Sequence, residues 1–238
     1  MKIAIIGYGK MGKTIADLAS EMGHEIVLKA TSTSPATENN LTGCDVAIEF
    51  TNPDSAVDNY RLCLENDIPV VTGSTGWNDQ KEAVAKMVKD TKGRFFFASN
   101  FSIGVNIFFQ INQQLARLMN SQKDYQPSVE EWHHIHKKDA PSGTAVTIAE
   151  QMIEALDNKS NWKLDENGPG AKDISIKAYR EGEIFGTHRV SYKSEIDDLT
   201  IEHKAHSRQG FAKGAILAAE WIVNQPSGSY GMSDLLKI

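Results

Sequence analysis

Cysteine is scarce in this chain: Cys44 and Cys63 are the only two among 238 residues. Two thiols cannot build a disulfide framework. With no secretory leader ahead of Lys2-Ile3-Ala4-Ile5-Ile6, they are expected to be reduced packing residues of a cytoplasmic protein. No apolar run is long enough to span a bilayer, which argues against a membrane protein. Basic residues are also in deficit, 25 Lys and Arg against 31 Asp and Glu, and the formal charge of -6 speaks against a nucleic-acid or membrane-surface partner. Internal repeats and low-complexity tracts are missing. What remains, 40% hydrophobic and 24% charged residues, is the composition of a soluble globular protein, long enough for one large or two small domains with buried cores.

The amino-terminal part alternates strand and helix patterns. Lys2 to Ile6 is a short apolar strand that runs into Gly7-Tyr8-Gly9-Lys10-Met11-Gly12, after which Ile15, Leu18, Ala19 and Met22 keep helical spacing. Strand, glycine turn and helix start in that order form a dinucleotide-binding fingerprint. Gly7 permits the tight turn, Gly9 admits a pyrophosphate, and Gly12 allows close packing of helix on strand. The bland alternative is a glycine-rich turn of another α/β protein; the flanking strand and helix favour a nicotinamide cofactor. Gly23 ends the helix and 24–30 reads as a second strand. An NAD-preferring site usually places Asp or Glu at its end, but here stand Thr31-Ser32-Thr33-Ser34. With Lys10 or Lys29 nearby these hydroxyls suit a 2′-phosphate, or they form a plain solvated loop, so NADH and NADPH both stay open. Strands at 45–50, near 68–71 and at 94–98 lead into Thr51-Asn52-Pro53, Gly73-Ser74-Thr75 and Ser99-Asn100-Phe101-Ser102. These are loops at the carboxyl ends of strands, where a doubly wound sheet binds its ligand.

Composition shifts after Gly104, and a domain boundary is placed near residue 103. A helix is expected over 105–119, then a strand ending near His134 that leads into His133-His134-Ile135-His136-Lys137-Lys138-Asp139-Ala140-Pro141-Ser142-Gly143-Thr144. In an extended strand His133 and Ile135 would share one face and His134 and His136 the other. Ala145, Ile148, Ala149, Met152 and Leu156 predict a helix beginning near Ser142 or Gly143, whose first amides welcome an anion. Read alone, this is an ordinary capped helix beside a structural histidine or two. Zinc is compatible with the His-x-His spacing, but the cysteines are distant and the lysines would repel a cation, so no metal is expected. Strand-like runs at 174–180, 186–192 and 198–206 predict an antiparallel or mixed sheet with one covered face. A helix over 211–223 should return to the first domain, and 233–238 looks like a closing helix. The fold class expected is α/β: a Rossmann-type doubly wound parallel sheet (1–103 with 209–238), plus a second α+β domain with an open mixed sheet (104–208).

The run from His133 to Ala145 resembles the signature of the 4-hydroxy-tetrahydrodipicolinate reductase family, also called dihydrodipicolinate reductases. Arg180-Glu181-Gly182 and His203-Lys204-Ala205 through Gly214-Ala215 are similar to further family segments. The resemblance implies NADH- or NADPH-dependent reduction of (2S,4S)-4-hydroxy-2,3,4,5-tetrahydrodipicolinate with loss of water, in lysine biosynthesis through diaminopimelate. It implies His133 as proton donor, Lys137 as its cationic partner, and His134 with the Gly143 and Thr144 amides as holders of a small dicarboxylate. It places Gly7 to Gly12, Gly73-Ser74-Thr75 and Ser99-Asn100-Phe101-Ser102 around the cofactor, and a homotetramer through the second domain. Lys138 reads as a solvated charge. The competing classes are a Rossmann oxidoreductase acting on a semialdehyde, which would not need the His-His-x-x-Lys cluster, and a nucleotide-sensing regulator, for which the acidic chain offers no DNA-reading helix.

Overall fold

Residues 1–238 are described by a computed structural model. In chain order the elements are β1 (Lys2–Ile6), α1 (Lys10–Glu21), β2 (Glu25–Ala30), α2 (Glu38–Leu41), β3 (Val46–Glu49), α3 (Pro53–Glu65), β4 (Val70–Thr72), α4 (Lys81–Thr91), β5 (Arg94–Phe97) and α5 (Ile103–Met119). There follow β6 (Gln126–His133), α6 (Gly143–Ala155), β7 (Asn161–Leu164), β8 (Asp173–Arg180), β9 (Thr187–Lys193), β10 (Asp198–Lys204), α7 (Gln209–Ile222), β11 (Gly228–Tyr230) and α8 (Met232–Leu236). The chain divides into two compact units, Met1–Ile103 with Gln209–Ile238, and Gly104–Arg208.

The first unit is built on a six-stranded parallel sheet of order β11-β5-β4-β3-β1-β2. Its central strands are covered on both faces, which is why they read as unbroken apolar runs rather than alternating ones. Ile3, Ile5, Ile48, Val71 and Phe96 pack beneath α1 and α7, while Ala4, Ile6, Ala47, Val70 and Phe95 pack against α3 and α4. Removing a side chain the size of Ile48 or Phe96 from water stabilises by about 1.5–3 kcal/mol. Pro53 fits the first turn of α3, where its missing N–H is no loss, and Asn52 Oδ1 caps that helix by accepting from Asp54 N at 3.0 Å and Ser55 N at 3.2 Å. Cys63 is fully buried, and burial pushes its thiol up to about 12, so it packs and does not react.

The second unit holds a five-stranded mixed sheet of order β10-β9-β6-β8-β7. β6 and β7 run parallel to β8, while β9 is antiparallel to both β6 and β10. α5 and α6 cover one face, where Val129, Ile174, Ile176, Val190 and Tyr192 meet Phe108, Ile148, Ala149 and Met152. The other face is dressed in polar and aromatic side chains: the Trp132 and Tyr179 rings stack with centroids 5.0 Å apart, Arg189 lies 4.9 Å over Trp132, and its Nε donates to Glu202 at 2.8 Å.

Three elements were not expected from the sequence. β7 falls between the helix expected after Ser142 and the strand expected at 174–180, α2 is a single capped turn, and β11 is a three-residue edge strand paired with β5. All are too short for periodicity to register. The closing helix, expected over 233–238, is α8 at Met232–Leu236.

Candidate active site

In the first unit, β1 ends at Ile6 and the chain turns through Gly7 into α1. Gly7 has φ +95, and a Cβ there would stand 2.1 Å from the Phe50 carbonyl oxygen; a Cβ on Gly12 would stand 2.2 Å from the Gly7 oxygen. Both positions are therefore closed to any other residue. Gly9 differs, because a Cβ there would meet nothing within 4 Å. It is the one glycine of the three that faces open space. It is also the N-cap of α1, with no side chain capping the first turn, so the leading amides present their positive dipole outward. Gly7, Tyr8 and Gly9 line a cleft of about 650 Å³ together with Thr31, Ser32, Phe50, Thr51, Asn52 and Ser55, at the carboxyl ends of β1, β2 and β3. The Tyr8 ring has Lys29 Nζ 5.2 Å and Lys13 Nζ 6.0 Å from its centroid.

Next to Phe50 and Thr51 of this lining stands Glu49, fully buried at the end of β3. Its Oε1 accepts from the Thr51 hydroxyl, from Thr51 N at 3.1 Å and from Ser74 Oγ at 3.1 Å, and its Oε2 accepts from Thr72 Oγ1 at 2.6 Å. The carboxylate thus ties the loop after β3 to the loop after β4. Ser74 spends its hydroxyl on that task and Phe101 packs its ring on Phe96, so neither side chain is presented to a ligand; Thr75 and Ser99 are exposed. Asn100 Oδ1 accepts from Ser102 N at 2.9 Å, shaping the turn after β5.

In the second unit, β6 stops at His133 and the chain turns, with Lys137 N donating to the His134 carbonyl. The pleat therefore does not continue to Ile135. His133 is 8% exposed and Ile135 is 59% exposed, so the two do not share a face as an extended strand would require. Burial pushes the His133 imidazole down to about 4; Glu131 offsets this in part, while His188, Lys137 and Arg180 add to it. His133 Nδ1 lies 3.5 Å from Glu131 Oε2 without hydrogen-bond geometry, and His134 Nδ1 is buried with no hydrogen-bond partner. Lys137, half-buried, reaches Asp139 Oδ2 at 2.8 Å. α6 begins at Gly143, where a Cβ would meet nothing within 4 Å, and Ser142 Oγ caps it by accepting from Ala145 N at 3.2 Å. His136 and Glu183 form an exposed pair at 3.3 Å, and Lys138 is exposed.

Sequence reading missed what holds this cluster. Glu131 lies at the centre, in contact with Ser142, Arg180, His133 and His188. Burial works against its ionisation, but the neighbouring His188 imidazole and hydrogen bonds from Ser142 and Arg180 outweigh it and hold the carboxyl at about 2. Glu131, His133 and His188 lie near enough to share an ion. However, one Glu131 oxygen is taken by Arg180 and Ser142 N and the other by the Ser142 hydroxyl, and the guanidinium already supplies the positive charge a cation would bring.

Residues 1–101 match the family model described as dihydrodipicolinate reductase, N-terminus, and residues 104–236 match dihydrodipicolinate reductase, C-terminus. A 4-hydroxy-tetrahydrodipicolinate reductase from Christiangramia forsetii is 43% identical over 236 residues, covering 99% of this chain and 98% of that protein. The enzyme of the same name from Methanosarcina acetivorans is 36% identical, covering 98% and 88%. Among solved structures, a dipicolinate-bound dihydrodipicolinate reductase from Paenisporosarcina sp. TG-14 superposes with a TM-score of 0.76 at 22% identity, over 98% of each chain.

Proposed function

This chain belongs to the dihydrodipicolinate reductase family, and from that premise we propose how its residues divide the reduction of (2S,4S)-4-hydroxy-2,3,4,5-tetrahydrodipicolinate to (S)-2,3,4,5-tetrahydrodipicolinate, with loss of water, in lysine biosynthesis through diaminopimelate. The cofactor is a pyridine nucleotide, which supplies a hydride when bound. Gly7 to Gly12 hold its pyrophosphate, with Gly9 giving the close approach and the uncapped start of α1 the positive dipole. Lys13 and Lys29 beside Tyr8, the Thr31 and Ser32 hydroxyls, and the lack of any carboxylate over 31–37 favour a 2′-phosphate, so NADPH is preferred to NADH. Gly73, Thr75, Ser99, Asn100 and Ser102 line the ribose and nicotinamide, with Ser74 and Phe101 contributing backbone only.

The Gly104–Arg208 unit supplies the proton and holds the substrate. Hydride addition leaves negative charge on the acceptor, and a positioned acid must neutralise it. His133 is that acid and Lys137 its cationic partner, freed from Asp139 by the arriving negative charge. His134 and the amides of Gly143 and Thr144 bind the two substrate carboxylates. The observation that carries this reading is the pair of buried Nδ1 atoms on His133 and His134, both without a hydrogen-bond partner, in the unit where α6 opens at an unobstructed Gly143. The open face of the mixed sheet, with its Trp132 and Tyr179 stack, is assigned to a homotetramer contact.

A turnover assay tests the division of labour by following loss of nicotinamide absorbance, with substrate generated from pyruvate and aspartate semialdehyde. His133→Gln and Lys137→Ala should each lower kcat roughly 100-fold or more, with nucleotide affinity unchanged. Normal turnover in both rules the assignment out.

A further inference from the structure

We propose that Glu131 is the positioning residue that sets three working parts of the Gly104–Arg208 unit against one another: the proton donor His133, the start of α6, and the loop that carries Lys137. The inference rests on the roles given above to His133 and Lys137. Glu131 does not itself hold the substrate.

The pleat of β6 turns Val129, Glu131 and His133 toward the covered side of the sheet, and Glu131 lies in register with Ala178 on β8 and His188 on β9. It is fully buried. Its Oε1 accepts from Ser142 N at 3.0 Å and from Arg180 Nη2 at 2.9 Å. Its Oε2 accepts from the Ser142 hydroxyl and stands 3.5 Å from His133 Nδ1 and 3.6 Å from His188 Nε2. Two of these contacts reach onward. The Ser142 oxygen that donates to Glu131 accepts from Ala145 N, so the carboxylate fixes the first turn of α6. Arg180 Nη2 also donates to the Asp139 carbonyl, and the Asp139 carboxylate holds Lys137, so the same carboxylate fixes the loop by way of the guanidinium.

An ionised carboxylate suits this arrangement: Oε1 faces two obligate donors, Ser142 N and Arg180 Nη2, and a glutamine that turned its NH2 group toward the Ser142 hydroxyl would still give up the charge that faces the guanidinium. A half-buried guanidinium facing a neutral partner loses the charge that compensates it. The imidazole is confined on its other side as well: Gly186 has φ +146, and a Cβ there would stand 3.2 Å from His133 Nε2. His133 is faced by Glu131 on β6, Arg180 on β8, His188 on β9 and Lys137 on the following loop, and of these Glu131 alone favours the imidazolium.

The experiment compares Glu131→Gln, Ser142→Ala and His133→Gln in the full-length chain, by turnover across pH at saturating nucleotide and by nucleotide fluorescence titration. For Glu131→Gln, kcat should fall roughly 100-fold. The alkaline limb of its pH profile should move to lower pH, because His133 has lost the charge that favours its proton, and nucleotide Kd should stay within about twofold. Ser142→Ala keeps the charge but loosens α6, so KM for the dicarboxylate should rise roughly tenfold with the limb unmoved. A purely structural Glu131 would lower the thermal midpoint and leave the limb in place. That outcome, with kcat within about threefold of wild type, overturns the proposal. If Glu131→Gln does not fold, an unchanged KM in Ser142→Ala overturns it instead. Loss of turnover in His133→Gln beside normal turnover in Glu131→Gln removes the positioning role alone; normal turnover in His133→Gln removes the assignment of the acid, and this inference with it.

Discussion

Binding of a dicarboxylate should load a proton onto His133. In the free protein burial holds this imidazole at about 4, so at pH 7 roughly one molecule in a thousand carries the proton, and placing it there costs about 4 kcal/mol. An imidazole titrating near 6.5 would require about 0.7 kcal/mol. A negative charge at about 4 Å, in surroundings of effective dielectric near 20, returns about 4 kcal/mol, comparable to the deficit. The acid that the reaction needs is thus made by the ligand that will consume its proton. Calorimetry with dipicolinate near pH 7, in two buffers of different ionisation enthalpy, should show uptake of about half a proton per site, rising toward one as the pH is lowered to about 6, and His133→Gln should abolish it. Equal heats in both buffers for the wild type would refute the reasoning.

Two further outcomes follow from the same charges. Acid should destabilise the fold in two windows. His133 is depressed from 6.5 to about 4, so the unfolded chain takes the proton first and stability falls as pH drops from 6.5 to 4; Glu131 is depressed from 4.5 to about 2, so its contribution is complete above 4.5 and lost toward 2. Each effect is on the order of 3 kcal/mol, and because the two groups touch they do not simply add. Thermal midpoints should therefore fall steadily below pH 6.5, with His133→Gln flattening the upper window; a level wild-type curve from 6.5 to 4 contradicts this. In the nucleotide cleft, Lys29→Ala should reduce the NADPH-over-NADH ratio of kcat/KM about fivefold, on the order of 1 kcal/mol, and an unchanged ratio would show that Lys29 does not read the 2′-phosphate.

Much of the architecture is written locally. β1, its glycine turn and α1 are adjacent in sequence, so the close backbone approaches expected at Gly7 and Gly12 could be read there, and both are closed in by backbone, while Gly9 faces open space. The α6 cap at Ser142 was legible for the same reason. The supports of the site were not, because their partners are remote. Glu130 and Glu131 are neighbours of identical chemistry, yet the pleat sends Glu130 out toward Arg189 and Glu131 in toward Arg180, 49 residues away in sequence. Glu49 ends an otherwise apolar strand, and a charged residue there was the available signal for a buried hydroxyl network. The His133 and Ile135 pairing failed because the alternation of a strand is useful only to the residue where the strand stops, and that residue is set by the turn at Lys137.

The position of α7 in the chain has a consequence for synthesis. The Gly104–Arg208 unit is continuous and leaves the ribosome whole. The parallel sheet must wait for Ala212, Ala215, Ile216, Ala219 and Ile222 before Ile48, Val71 and Phe96 are roofed over, and for Tyr230 before β5 gains its last neighbour. While the nascent chain grows, the glycine turn emerges well before the helix that completes its core, so that an apolar sheet face stays open to chaperones, or to other unfinished copies, until α7 has been made.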